Sequence, residues 1–201
     1  MSTAIWFLAA YLLGAFPTSY IAGRIAKGID LREHGSKNLG ATNVLRLLGW
    51  RWAVPVALID IAKGALPATL FATWAGGDRW VAVGLGVAAV LGHIFSPFVG
   101  FRGGKGVATA AGIFVALAPV AVLIALPVWG LCLWLSGYVS LSSILAAGTL
   151  PLWVKLTRPG ALPAFWASVA LALLILYSHR ANIRRLLAGT ENRFGAHKAP
   201  A

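Results

Sequence analysis

Apolar runs of membrane-spanning length fill most of this chain, broken by three short stretches that are polar, basic and rich in glycine. These are HGSKNLGATNVLR (34–46), GHIFSPFVGFRGGKGVAT (92–109) and HRANIRRLLAGTENR (179–193). Such alternation restricts the fold to helices in a bilayer, because backbone polar groups in hydrocarbon must be satisfied within the segment. A soluble domain of this length has too little interior to hide 59% hydrophobic residues beside only 11% charged ones.

The formal net charge of +12 first suggests nucleic acid. The cations sit in loops between spans, however, which fits orientation in the membrane and binding of anionic ligands or headgroups instead. Cys132 is the one cysteine and lies in an apolar stretch, so there is no intrachain disulfide. The first apolar run lacks a basic leader and a small-x-small cleavage site, and is expected to be retained.

The predicted spans are 4–23, 52–75, 80–99, 107–118, 120–136, 139–156 and 161–178. The stretch 107–136 reads as one long helix or two short ones, with Pro119 in a plausible turn. Charge parity selects two. Arg24, Lys27, Arg32, Lys37, Arg46 and Arg51 mark the first loop as cytoplasmic, and Arg180, Arg184, Arg185, Arg193 and Lys198 mark the tail likewise. Only an even number of crossings after Arg102 and Lys105 keeps the tail on that side. The expectation is an all-α integral membrane protein of about seven transmembrane helices, N-terminus outside (periplasmic) and C-terminus cytoplasmic. Residues 1–201 form a single domain, with motif loops 32–46, 100–109 and 179–193 on the cytoplasmic face.

All three stretches, and the serines of the turn 137–143, then meet at one surface. In the first, Gly35 and Gly40 free the backbone, and ATNVLRLLG reads as a helix capped by Thr42 or Asn43 with Arg46 one turn in. A helix start behind a glycine turn is a seat for phosphate, and equally an ordinary capped amphipathic helix. In the second, glycines flank Lys105 just before an apolar helix; the P-loop spacing is absent, which excludes nucleotide hydrolysis on that pattern. In the third, His179 and Asn182 fall one turn apart on a helix. His93 reads as a structural hydrogen-bonding group. Asp60 and Lys63, spaced i,i+3 within a span, read as a mutual ion pair or as support for Lys105 or Arg46. Carboxylates on this face are few, no His is followed five positions later by Asp, and no Cys/His cluster suits zinc, so no metal site is expected.

In order and spacing the three stretches resemble the signature motifs of the bacterial acyl-phosphate:glycerol-3-phosphate acyltransferases (the PlsY type), as do ALIDIAKGALP and GYVSLSSI. The resemblance covers most of the chain; one departure is Lys37, where many members carry Gly. It implies a cofactor-free enzyme of the bacterial inner membrane, acting as a monomer or simple homo-oligomer. Such an enzyme moves a fatty acyl group from acyl phosphate to the sn-1 hydroxyl of glycerol 3-phosphate, giving lysophosphatidate and inorganic phosphate, the first step of phospholipid synthesis. It implies acyl-phosphate contacts at Gly40, Ala41, Thr42, Asn43, Gly103, Gly104 and Lys105. Glycerol 3-phosphate would meet Ser36, Arg46, Lys105, Ser143, His179 and Asn182, with His179, Ser36 and Lys105 as the catalytic set and the acyl chain between helices beside lipid. The hydroxyl proton is taken either by His179 or by the donor phosphate. An anion transporter or a lipid-binding scaffold is the alternative; the surface position of the polar groups and the absence of a repeat favour an enzyme.

Overall fold

The structure is a computed structural model that describes residues 2–195; Lys198, counted above among the tail cations, lies outside the described residues. Among them, every regular element is helical. Helix α1 (Thr3–Ala15) stops before Pro17, as a residue preceding proline is pushed out of helical geometry, and α2 (Thr18–Lys27) resumes beyond it. The expected 4–23 span is therefore a broken run extending to Lys27. Helix α3 (Ala41–Leu48) is short. Helix α4 (Trp50–Leu66) continues through one π turn (Pro67–Phe71) into α5 (Ala72–Trp74), the turn beginning where Pro67 removes a ladder donor.

Asp78 caps α6 (Arg79–Ile94), accepting from the N–H groups of Trp80 and Val81 at 2.8 and 3.1 Å. Then come α7 (Val107–Leu117), α8 (Pro119–Ser136), α9 (Val139–Thr157), α10 (Leu162–Ser178) and α11 (Arg180–Leu187). The 107–136 stretch does break at Ala118, just before Pro119. Five helical runs are long and apolar enough to cross a membrane, six if α10 and α11, bent 59° apart, count together. Helix α7, with 11 residues, spans about 16 Å against some 30 Å of hydrocarbon.

Small residues bring the helices together, as expected where lipid removes the hydrophobic drive between them. A Cβ on Gly64 would stand 1.9 Å from the Thr109 carbonyl, and one on Gly112 would stand 1.9 Å from that of Ile61, so α4 and α7 meet backbone to backbone. Gly84 faces Phe7 and Gly92 faces Tyr11, so α1 and α6 run in the same direction. A core around Phe114, Ile113, Val90, Val154 and Leu171 joins α6 to α10. A second, around Leu31, Leu39, Val44 and Val99, underlies the first polar loop.

The Asp60–Lys63 ion pair forms at 2.7 Å, with both side chains buried. Its remaining contacts go to the α1–α2 break and to His93, whose Nδ1 stands 3.8 Å from Asp60, and not to Lys105 or Arg46. Lys63 donates to the Phe16 carbonyl at 2.6 Å and to the Thr18 hydroxyl, which in turn donates to Asp60 at 3.1 Å. The Phe16 carbonyl at the break also accepts from the Thr18 N–H at 3.0 Å, so the lysine takes up its second lone pair. His93 contributes its backbone, accepting from the Gly104 N–H at 3.1 Å. Cys132 lies one turn before the end of α8, its sulfur 3.9 Å from the Ser136 hydroxyl.

Candidate active site

The three polar stretches converge at one end of the bundle. Lys105 donates to the Asn182 amide oxygen, tying second stretch to third, and Arg46 donates to the Asn192 carbonyl at 3.3 Å, tying first to third; Ser178, just before the third stretch, donates to the Lys105 carbonyl at 3.2 Å. Arg32 bridges first to second: it pairs with Asp30 at 2.6 Å and donates to the Val99 carbonyl at 2.8 Å. Its hydrogen bonds hold the Asp30 carboxyl below the usual range despite burial.

Gly40, not Thr42 or Asn43, caps α3. Asn43 is taken up inside the loop, accepting from the Ser36 N–H at 2.9 Å and donating to the Leu31 and His34 carbonyls at 3.1 Å each. A Cβ on Gly35 would stand 2.4 Å from the Asn43 amide oxygen, which explains why this turn needs glycine. Lys37 has φ +57°, a conformation glycine adopts more easily. At the start of α3, the N–H groups of Ala41 and Thr42 have no hydrogen-bond partner among the described residues.

The second stretch departs from expectation. Gly103 and Gly104 spend their N–H groups on the Ile94 and His93 carbonyls, at 3.0 and 3.1 Å. They are needed for space: a Cβ would stand 2.0 Å from the His93 carbonyl at Gly103 and 2.2 Å from its ring at Gly104. Amides without partners among the described residues come later, at Gly106, Val107 and Ala108, where α7 begins. These three residues, with Ser36, Gly40 to Thr42, Arg46, Lys105, Ser143, His179 and Asn182, line one cavity of about 480 Å³. Asn43, Gly103 and Gly104 are outside that lining. The polar end of the cavity passes into an apolar arm between α8 and α9, reaching Leu150 and Val122.

His179 ends α10 and Asn182 follows on α11, so the helix bends between them while both stay buried and face the cavity. The His179 Nδ1 atom is 2.8 Å from the Ile175 carbonyl, which assigns it the proton and leaves Nε2 as an acceptor. Burial, with the Lys105 charge adding to it, lowers the His179 pKa to about 4. Lys105 donates to the Asn182 amide oxygen, and burial brings its pKa down to about 8. Burial likewise lowers Arg46. Ser143 is engaged within α8 and α9, donating to Val139 at 2.8 Å and accepting from Trp129 at 3.2 Å.

Glu191, which no motif marks, anchors this end of the molecule. Its carboxylate accepts from Asn182 at 2.6 Å, Arg185 at 2.7 Å and Ser140 at 3.0 Å. Burial would raise its pKa; the three hydrogen bonds outweigh burial and lower it. The available signal was a single carboxylate among the arginines of the third stretch. Among the described residues there is no group of three His, Cys, Asp or Glu that could hold a metal ion.

A family model described as glycerol-3-phosphate acyltransferase matches residues 4–189. A protein of that description from Chlorobium luteolum is 42% identical, over 96% of this chain and 97% of its own. One from Desulfotalea psychrophila is 46% identical, over 92% and 94%. Two solved structures are similar in fold, both described as PlsY (YgiH), an integral membrane glycerol 3-phosphate acyltransferase. The glycerol 3-phosphate form superposes with TM-score 0.85 at 43% identity, covering 96% of each chain. The lysophosphatidic acid form gives 0.86 at 41%, covering 96% of this chain and 95% of that one.

Proposed function

The chain belongs to the glycerol-3-phosphate acyltransferase family, and on that premise we propose that it transfers a fatty acyl group from acyl phosphate to the sn-1 hydroxyl of glycerol 3-phosphate. The observation that carries this donor is a cavity whose cationic end continues into an apolar arm, matching a phosphate joined to an acyl chain. The solved relative bound to glycerol 3-phosphate supports the acceptor.

In the reaction the acceptor hydroxyl attacks the acyl carbonyl, the bond from that carbon to the bridging oxygen breaks, and inorganic phosphate leaves. An acyl phosphate is already activated, so position and charge supply the acceleration. The donor phosphate rests on the free amides of Ala41 and Thr42 and of Gly106 to Ala108, beside Lys105. Ser36, Arg46, Asn182 and His179 hold glycerol 3-phosphate, with Ser143 at the start of the apolar arm. Asn43, Gly103 and Gly104 shape the loops that carry these groups.

His179 with a pKa of about 4 is a weak base, whereas a phosphate group has a second pKa near 6. The departing phosphate therefore takes the proton of the attacking hydroxyl, and His179 Nε2 orients glycerol 3-phosphate by accepting from its neighbouring sn-2 hydroxyl. Seven crossings of a bacterial inner membrane, N-terminus outside, put the site on the cytoplasmic side where soluble glycerol 3-phosphate is met. The parallel course of α1 and α6 agrees with that, since one crossing, begun by α4, lies between them.

Purified protein in detergent, given acyl phosphate and glycerol 3-phosphate, should form lysophosphatidate and phosphate with no other protein present. Absence of turnover, or turnover with acyl-CoA instead, refutes the donor assignment.

A further inference from the structure

We propose that Leu150 and Val122 form the floor of the apolar arm and set the longest acyl chain that the site encloses. This rests on the acyl-phosphate reading above. The cavity follows one face of α9 through Ser140, Ser143, Ala147 and Leu150, each three or four residues after the last. Seven residues of helix put Leu150 about 10 Å beyond Ser143, where the arm begins.

Beyond that point the molecule is shut. Val154, the next residue on this face of α9, is 0% exposed, as are Ala118 and Ala121 at the start of α8. All three belong to the same packed core as Val122. The alanines higher in the arm leave width for a chain, and Leu150 and Val122 close its end from opposite helices. An extended chain advances roughly 1.2 Å per bond, from the 3.3–3.6 Å that three backbone bonds cover, so the arm takes about nine carbons. Leu126 also lines the cavity and is 55% exposed, so carbons in excess must turn outward past it and lose the enclosed contacts.

The test is kcat/KM measured along a ladder of saturated acyl phosphates. For the wild type it should rise about fourfold per added methylene and level off near nine carbons. Leu150→Ala should move the levelling point to longer chains, Val122→Ala should do the same, and Ala147→Leu should move it to shorter ones. Leu145→Ala, on the exposed face of α9, should leave it in place. The levelling point is a ratio within one preparation, so partial loss of folded protein does not shift it. A levelling point common to wild type, Leu150→Ala and Ala147→Leu, with turnover intact, overturns the floor and leaves the donor assignment standing. No turnover of any acyl phosphate by the wild type overturns both.

Discussion

Replacing Lys105 by arginine and following kcat/KM against pH tests whether this ammonium recognises the substrate phosphate. Burial, with Arg185 and Arg46 adding to it against the pull of Glu191, brings its pKa down to about 8. The charged form is the one that binds phosphate, and it is lost as pH rises. A lysine with that pKa is about 90% charged at pH 7 and about 10% at pH 9, so kcat/KM should fall roughly tenfold per unit above pH 8. His179, lowered to about 4, and Glu191, lowered by its hydrogen bonds, titrate well below this window. Arginine stays charged throughout, so Lys105→Arg should lower the rate through altered geometry at Asn182 yet abolish the alkaline limb. Lys105→Met should lose about 10- to 100-fold at neutral pH, the worth of a charge-assisted hydrogen bond. Phosphate release between pH 6.5 and 9.5 reads all three proteins. An alkaline limb surviving in Lys105→Arg assigns it to another group and refutes the reasoning.

Other perturbations have equally definite outcomes. Gly64→Ala would drive a Cβ against the Thr109 backbone and should cost about 3 kcal/mol or more, whereas Gly130→Ala, with open space around it, should be neutral; thermal unfolding in detergent compares them. Asp60→Asn leaves Lys63 buried beside a neutral amide and should cost about 3–5 kcal/mol, most of it recovered by adding Lys63→Met. Lys37→Gly relieves a left-handed backbone and should raise the unfolding temperature with activity retained. His179→Asn should keep kcat within about tenfold while KM for glycerol 3-phosphate rises; a loss of about 10² in kcat at unchanged KM would make His179 the base.

Much of this architecture is written in local chemistry. Helix boundaries follow Pro17, Pro67, Asp78 and Pro119, because a missing N–H or a capping carboxylate acts within one turn. Side-chain roles inside the loops were less legible. Asn43 looks like a helix cap and is instead a loop tie, since its partners at Leu31 and His34 are brought close only by the fold. Gly103 and Gly104 look like phosphate amides, but their donors go to α6 carbonyls that the chain pattern does not place nearby. Glu191 gains its role from Ser140, 51 residues away, as well as from neighbours.

By itself, then, the sequence determined that this chain is a membrane helix bundle with three cationic glycine-rich loops, because hydropathy and charge act residue by residue. Tertiary structure decided which amides remain free, which carboxylate anchors the cations, and where the apolar arm ends. Those depend on backbone groups from distant segments competing for the same hydrogen bonds and space. The 480 Å³ cavity is the product of that competition.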